Sequence, residues 1–225
     1  MTVELDHVFI CTDRLAPAAE SLLRLGLSEG APNTHPGQGT ANRRFFFDNA
    51  FLELVWVEDP TETQSPLVAR TGLWERWSRR EGGASPFGVG LRFEGEAAEQ
   101  LTFASWEYRP PYLPPPLAIL MAAHSHESAA PLLFAVSFGW RPDSGPLERR
   151  QPLEHRVGVR SISRLRIGRP NLDPTIAVDW SAVRQCCPVV EVVEGNEHLL
   201  EVGFDGERQM MSHDFRPRLP LVFHW

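Results

Sequence analysis

The sequence predicts an α+β fold, and three observations carry that prediction. Short apolar segments with two-residue alternation recur along the chain, interrupted by one clear amphipathic helix near the start and fewer helical stretches later. Two of these segments, Leu5-Asp6-His7-Val8-Phe9-Ile10 and Phe51-Leu52-Glu53-Leu54-Val55, each place one metal-binding or acid/base side chain among apolar neighbours. The order strand, helix, strand or loop, strand, strand then returns in outline in the last third. There Ile162–Ile167 echoes the first segment and His198–Val202 echoes the second.

Residues 2–11 alternate and are rich in β-formers, so they read as a strand. Asp13 opens a helix in which Leu15, Ala18, Ala19, Leu22, Leu23 and Leu25 share a face, and Gly26 closes it. Gly30 to Gly39 is dense in Gly, Pro and Asn and reads as a loop crossing or flanking a strand. Arg43–Phe47 and Phe51–Val57 read as two strands turning at Asp48-Asn49. Pro66–Arg80 carries a partial apolar stripe and reads as a second helix. Strands resume at Phe87–Phe93, Phe103–Tyr108, Leu117–Ala123 and Leu132–Phe138, with the proline-rich stretch 110–116 as an extended crossing. Arg141–Pro152 is the best linker. Beyond it, Asp179–Gln185 reads as a short helix and Pro188–Val193 as a strand.

A chain of 225 residues can bury a full core. Its net charge of −7 argues against a nucleic-acid partner, which calls for a basic face. Arginines cluster locally, at Arg79-Arg80, at Arg149-Arg150 and from Arg156 to Arg169. They read mainly as solvated surface and strand edges, with a small-anion site as the minority reading. No apolar run is long enough to span a bilayer, and no signal-peptide pattern is visible. Cys11, Cys186 and Cys187 lack zinc-type spacing and read as small buried thiols. A reducing cytoplasm fits these features.

Alternation sets Leu5, His7 and Phe9 on one face and Phe51, Glu53 and Val55 on one face. An imidazole and a carboxylate buried there are costly unless they meet each other, a metal or a substrate. A His–Glu hydrogen bond is the simplest joint explanation, a metal the next, and general base catalysis the third. His35 to Arg43 forms a compact loop whose bland reading is a turn bonded to its own backbone through Thr40 and Asn42. Trp56, Trp106 and Trp140 are candidates to line an apolar pocket.

The N-terminal sixty residues resemble the vicinal oxygen chelate superfamily, specifically its glyoxalase-like domain proteins. The marker is Leu5-Asp6-His7-Val8, then His35-Pro36-Gly37-Gln38-Gly39-Thr40-Ala41-Asn42-Arg43, then Phe51-Leu52-Glu53-Leu54. The resemblance implies paired βαβββ modules forming a curved, half-open mixed sheet around a cavity, with helices on the outside. Two modules would occupy residues 1–145 (about 1–60 and 85–140), with a further module-like strand-helix-strand region, 150–225, packed on them.

It also implies a divalent metal (Zn, Fe, Mn or Ni) held by His7 and Glu53 from the first module. Glu201 would complete the ligand set if the last third is the partner module, and His35, Asn42 and Arg43 would orient the substrate at the cavity mouth. His124 and His126 share a face by parity at the end of Leu117–Ala123, so His124 is another candidate ligand, with exposed residues in a Ser/Glu-rich turn as the favoured bland reading. The sequence departs from this pattern in the second half. Phe87–Phe93 and Leu132–Phe138 carry no ligand in their interiors, and Arg164 stands where the last third would need a second His.

Two functional readings follow from the resemblance. One is a metal-dependent lyase, isomerase or dioxygenase acting on a small oxygenated molecule, with His7 and Glu53 as its catalytic residues. The other is a metal-free protein on the same fold that binds or sequesters a small molecule. Members often pair as homodimers.

Overall fold

The computed structural model describes residues 3–93, 101–170 and 180–225. An eight-stranded sheet runs in the order β2-β3-β4-β1-β5-β8-β7-β6. Its strands are β1 (Glu4–Cys11), β2 (Asn33–His35), β3 (Thr40–Phe46), β4 (Phe51–Val57), β5 (Phe87–Arg92), β6 (Ser105–Tyr108), β7 (Ile119–Ala122) and β8 (Leu132–Val136). The two central strands, β1 and β5, are antiparallel, and each has a parallel neighbour on its other side, β4 for β1 and β8 for β5. The sheet therefore has two halves of like pattern meeting at its middle. This is the α+β half-barrel that the sequence predicts.

A second sheet, in the order β10-β9-β11-β13-β12, is built from β9 (Ile162–Arg169), β10 (Val190–Glu194), β11 (Leu199–Phe204), β12 (Ser212–Asp214) and β13 (Leu221–His224). It repeats the same central motif. β9 and β11 are antiparallel, and each has a parallel outer neighbour, β10 and β13. The two segments that echo the N-terminal strands, Ile162–Ile167 and His198–Val202, are thus adjacent strands of this sheet. β12 and β13 lie beyond the last segment that the sequence reading assigned.

One apolar core joins the two sheets. Val8, Ile10, Phe45 and Val89 from the first sheet cluster with Leu165, Val202 and Phe223 from the second. The Phe47 and Phe204 rings meet at 4.7 Å across the junction. Asn49, in the β3–β4 turn, accepts from the backbone N–H of Ile162 and donates to its carbonyl, each at 2.9 Å. The second sheet thereby covers one face of the first and leaves the other face free to form a cavity.

The helices are shorter than periodicity predicts. α1 is Ala19–Leu25, closed by Gly26 as expected, with Ala19 and Leu22 buried against the core. It starts six residues after Asp13 because Pro17 disfavours helical geometry at the residue before it; Leu15 and Ala16 are left-handed, at φ 65° and 44°. The single helix expected over Pro66–Arg80 is broken into α3 (Pro66–Ala69) and α4 (Leu73–Ser78), preceded by α2 (Pro60–Thr63). The break is at Gly72, whose φ of 68° a side chain would resist. Among the described residues no helix is long and apolar enough to cross a membrane.

Candidate functional site

The free face of the eight-stranded sheet encloses a chamber of about 210 Å³. Most of its polar groups come from the first half of the sheet: His7 on β1, Asn42 and Arg44 on β3, and Glu53 on β4, with His35 and Gln38 at the β2–β3 turn; Thr71, Tyr108 and Tyr112 add hydroxyls from elsewhere. The second half contributes mainly hydrocarbon: Ile119 and Met121 from β7, and Leu132, Phe134 and Val136 from β8. The chamber is polar on one side and greasy on the other.

His7 sits between two carboxylates. Its Nδ1 bonds Asp6 Oδ2 at 2.7 Å, and its Nε2 lies 3.4 Å from Glu53 Oε2. Asn42 Nδ2 donates to Glu53 Oε1 at 2.5 Å, while Asn42 Oδ1 accepts from the backbone of Asn33 at 2.8 Å. The amide is therefore fixed from both ends and holds the carboxylate towards His7. The imidazole also stacks on Phe51, with ring centroids 4.5 Å apart. Burial disfavours imidazolium, but the Asp6 hydrogen bond and the charges of Asp6 and Glu53 outweigh it, so the His7 pKa is raised.

One part of the expected alternation fails. Leu5 is in the core, on the face opposite His7 and Phe9. The cause is a bulge: Leu5 pairs with Leu91 and His7 with Gly90, so Asp6 is an extra residue in β1. The bulge reverses the parity and turns Asp6 into the chamber beside His7. Phe51, Glu53 and Val55 do share the chamber face, as alternation predicts.

Gly88 and Gly90 on β5 make room for this arrangement. A Cβ at residue 90 would lie 2.8 Å from His7 Cε1 and 2.9 Å from Phe134 Cε2, and one at residue 88 would lie 2.0 Å from Phe9. The second half of the sheet thus yields its central positions to side chains from β1 and β8.

The other expected site residues divide. His35 is at the rim; its Nδ1 is 2.9 Å from Thr40 Oγ1, its ring is 4.8 Å from that of Tyr112, and burial lowers its pKa. Arg43 is a correction. It points away from the chamber, into a bidentate pair with Glu29 and a contact with Glu20 near α1. Its neighbour Arg44 is the arginine that lines the chamber.

Glu201 is also a correction. It lies on the second sheet, bonded to Arg166 at 2.5 Å with His224 Nε2 at 3.3 Å. His124 is buried in the loop after β7, where Arg76 holds the carbonyls of Ser125, Glu127 and Ala130; it does not line the chamber. Of the three tryptophans, Trp56 belongs to the core between the sheets and Trp106 stacks under Arg70, leaving only Trp140 near the chamber's outer side.

The sequence reading missed Asp6, Arg44, Gln38 and Tyr112. Arg44 was accessible to it, because residues 42 and 44 must share a strand face while 42 and 43 cannot.

The model of the glyoxalase-like domain matches residues 5–181. The chain belongs to the glyoxalase-like domain family. Its half-barrel is that of the vicinal oxygen chelate superfamily. A hypothetical protein from Staphylococcus aureus superposes with a TM-score of 0.59 at 11% identity, over 100% of this chain and 99% of that one. This shows the same fold across both sheets. Methylmalonyl-CoA epimerase from Mycobacterium tuberculosis aligns at TM-score 0.40 and 16% identity, over 59% of this chain and 86% of its own. A xylose isomerase-like TIM barrel/4-hydroxyphenylpyruvate dioxygenase fusion protein aligns at 0.44 and 11%, over 89% and 36%. No curated sequence matches the chain.

The superfamily resemblance implies a divalent metal, and the donors in this glyoxalase-like chamber do not fit one. Protein sites for such ions supply three or four ligands. Here His7 Nε2 and Glu53 Oε2 are the facing pair, and Asp6 is held on the far nitrogen of His7. Gly90 and Phe134 occupy the central positions of the second half's inner strands. Among the described residues no group of three His, Cys, Asp or Glu is placed to hold an ion.

Proposed function

We propose that the chamber holds a small oxygenated organic molecule and that Glu53 and His7 move a proton on it without a metal, as in an isomerase or lyase. The observation that carries this reading is the Asp6–His7–Glu53 set at the junction of a polar and an apolar wall. Asp6 fixes the tautomer and favours the charged imidazole, so His7 Nε2–H is suited to donate. Glu53 is suited to accept a proton from carbon next to a carbonyl while His7 protonates or hydrogen-bonds the oxygen on which negative charge grows. His35 and Asn42 frame the polar end, and Met121, Leu132 and Phe134 exclude water from the other.

Deuterium uptake by small carbonyl compounds in D2O, followed by proton NMR with chelator-treated protein, tests the reading. It expects uptake at carbon that Glu53→Gln abolishes. Uptake that requires an added divalent ion would refute the metal-free mechanism. The second reading, a binding or sequestering protein, is favoured by the hydrocarbon wall from β7 and β8. It gains if compounds bind the chamber and none exchanges.

A further inference from the structure

The chamber continues outwards. Asp6, Asn33, Arg44, Phe51, Phe138 and Gly139 line both it and an adjoining cavity of about 390 Å³. The far wall of this outer cavity comes from the segment after β8, with Trp140, Arg149 and Gln151. That segment is anchored: Gln151 Oε1 accepts from the backbone of Ala31 at 2.8 Å, beside β3. Trp140 is 40% exposed and turns part of its ring to this cavity.

Two guanidinium groups line this space without a direct ion pair, although the Glu53 charge acts on Arg44 from the neighbouring strand. Arg44 gives its Nε to the Ala31 carbonyl, and its carbon lies 5.1 Å from the centre of the Phe46 ring. Arg149 lies 5.2 Å from the centre of the Trp140 ring. Neither forms an ion pair with a described residue. Their neighbours do: Arg43 with Glu29, Arg92 with Glu4, Arg141 with Asp143 and Arg160 with Asp48. Among the described residues Asp6 is the only acid lining the outer cavity, and His7 already occupies one of its oxygens.

We propose that the outer cavity is an oxyanion-binding annex and that the ligand is bipartite. A compact end would sit beside His7 and Glu53. A carboxylate or phosphate would be held by Arg44 and Arg149, on a flat or conjugated segment lying against Trp140 and Phe46. Guanidinium forks match the planar spacing of such oxyanions, and the aromatic rings keep the forks oriented. The placement of the compact end rests on the chamber reading above; the annex does not.

Calorimetric titration of the full chain with phenyl phosphate, phenylacetate and benzyl alcohol tests the proposal, alongside Arg149→Gln, Arg44→Gln and Phe134→Trp. The two anions are expected to bind roughly tenfold or more tighter than the alcohol, and both arginine variants should remove that preference. The stronger anion identifies phosphate or carboxylate as the natural group. Equal affinity for all three probes, a preference that survives Arg149→Gln, or no saturable binding of either anion would overturn the annex. Arg149 is exposed, so its variant will fold. If Phe134→Trp leaves benzyl alcohol binding unchanged while the anion preference still follows Arg149, the chamber reading fails and the annex stands.

Discussion

Replacing Asp6 by Asn should convert His7 from a raised to a lowered pKa. Burial pulls the imidazole below its ordinary value of 6.5, and it is held above only by the Asp6 bond and the charges of Asp6 and Glu53. A hydrogen bond to a charged partner contributes about 1.5–3 kcal/mol, and that is the interaction the substitution removes. Asp6→Asn removes the bond and the charge that outweigh burial, so the His7 pKa should fall. Titration of the His7 Cε1–H resonance by NMR reads this directly.

Stability should follow the same logic. In the wild type the raised folded pKa makes the His7 contribution fully present below 6.5 and lost as pH rises through the folded value. In the variant the sign reverses, and stability is lost as pH falls below 6.5. The gap between the two proteins should thus be widest on the acid side and narrow as the pH rises. A His7 that titrates below 6.5 in the wild type, or at the same pH in both proteins, would refute the reasoning.

Three further outcomes are expected. Asn49→Ala removes both hydrogen bonds to Ile162 and should cost about 1–3 kcal/mol in urea unfolding, with the slope unchanged. His124, buried near the Arg76 charge, has a pKa lowered to about 4. Stability should decline as pH falls from 6.5 towards 4, and His124→Asn should flatten that decline in thermal melts. Burial raises the Cys11 and Cys187 thiols to about 12, so half-buried Cys186 should be alkylated first under native conditions, with mass spectrometry reading the order.

Much of the chamber was legible in the sequence because alternation fixes faces. His7, Asn42 and Glu53 converge, and the lack of ligands in Phe87–Phe93 and Leu132–Phe138 was visible beforehand. What alternation cannot see is an extra residue. The bulge at Asp6 leaves no mark on the hydrophobic pattern, yet it exchanges Leu5 for Asp6 on the chamber face. Arg43 was expected at the site through its place in a motif, although strand geometry favours Arg44 beside Asn42. Glu201 and His124 were carried by resemblance and spacing, which do not report that one strand belongs to a different sheet. The break at Gly72 is likewise a local backbone choice inside an otherwise helical stripe.

The glycines of β5 give the glyoxalase-like chamber a division of labour. With no side chains at 88 and 90, this strand acts as a mould into which Phe9, His7 and Phe134 are cast. Polar groups can then be exchanged on β1, β3 and β4 while the hydrocarbon wall is reshaped at Ile119, Met121 and Leu132; Phe134, edge-on to the His7 ring at 5.2 Å, belongs to both. Selection for a new ligand shape and selection for a new reaction would act on separate stretches of the gene. A library varied only at Ile119, Met121 and Leu132 should alter which molecules are accepted while leaving the His7 titration nearly where it was.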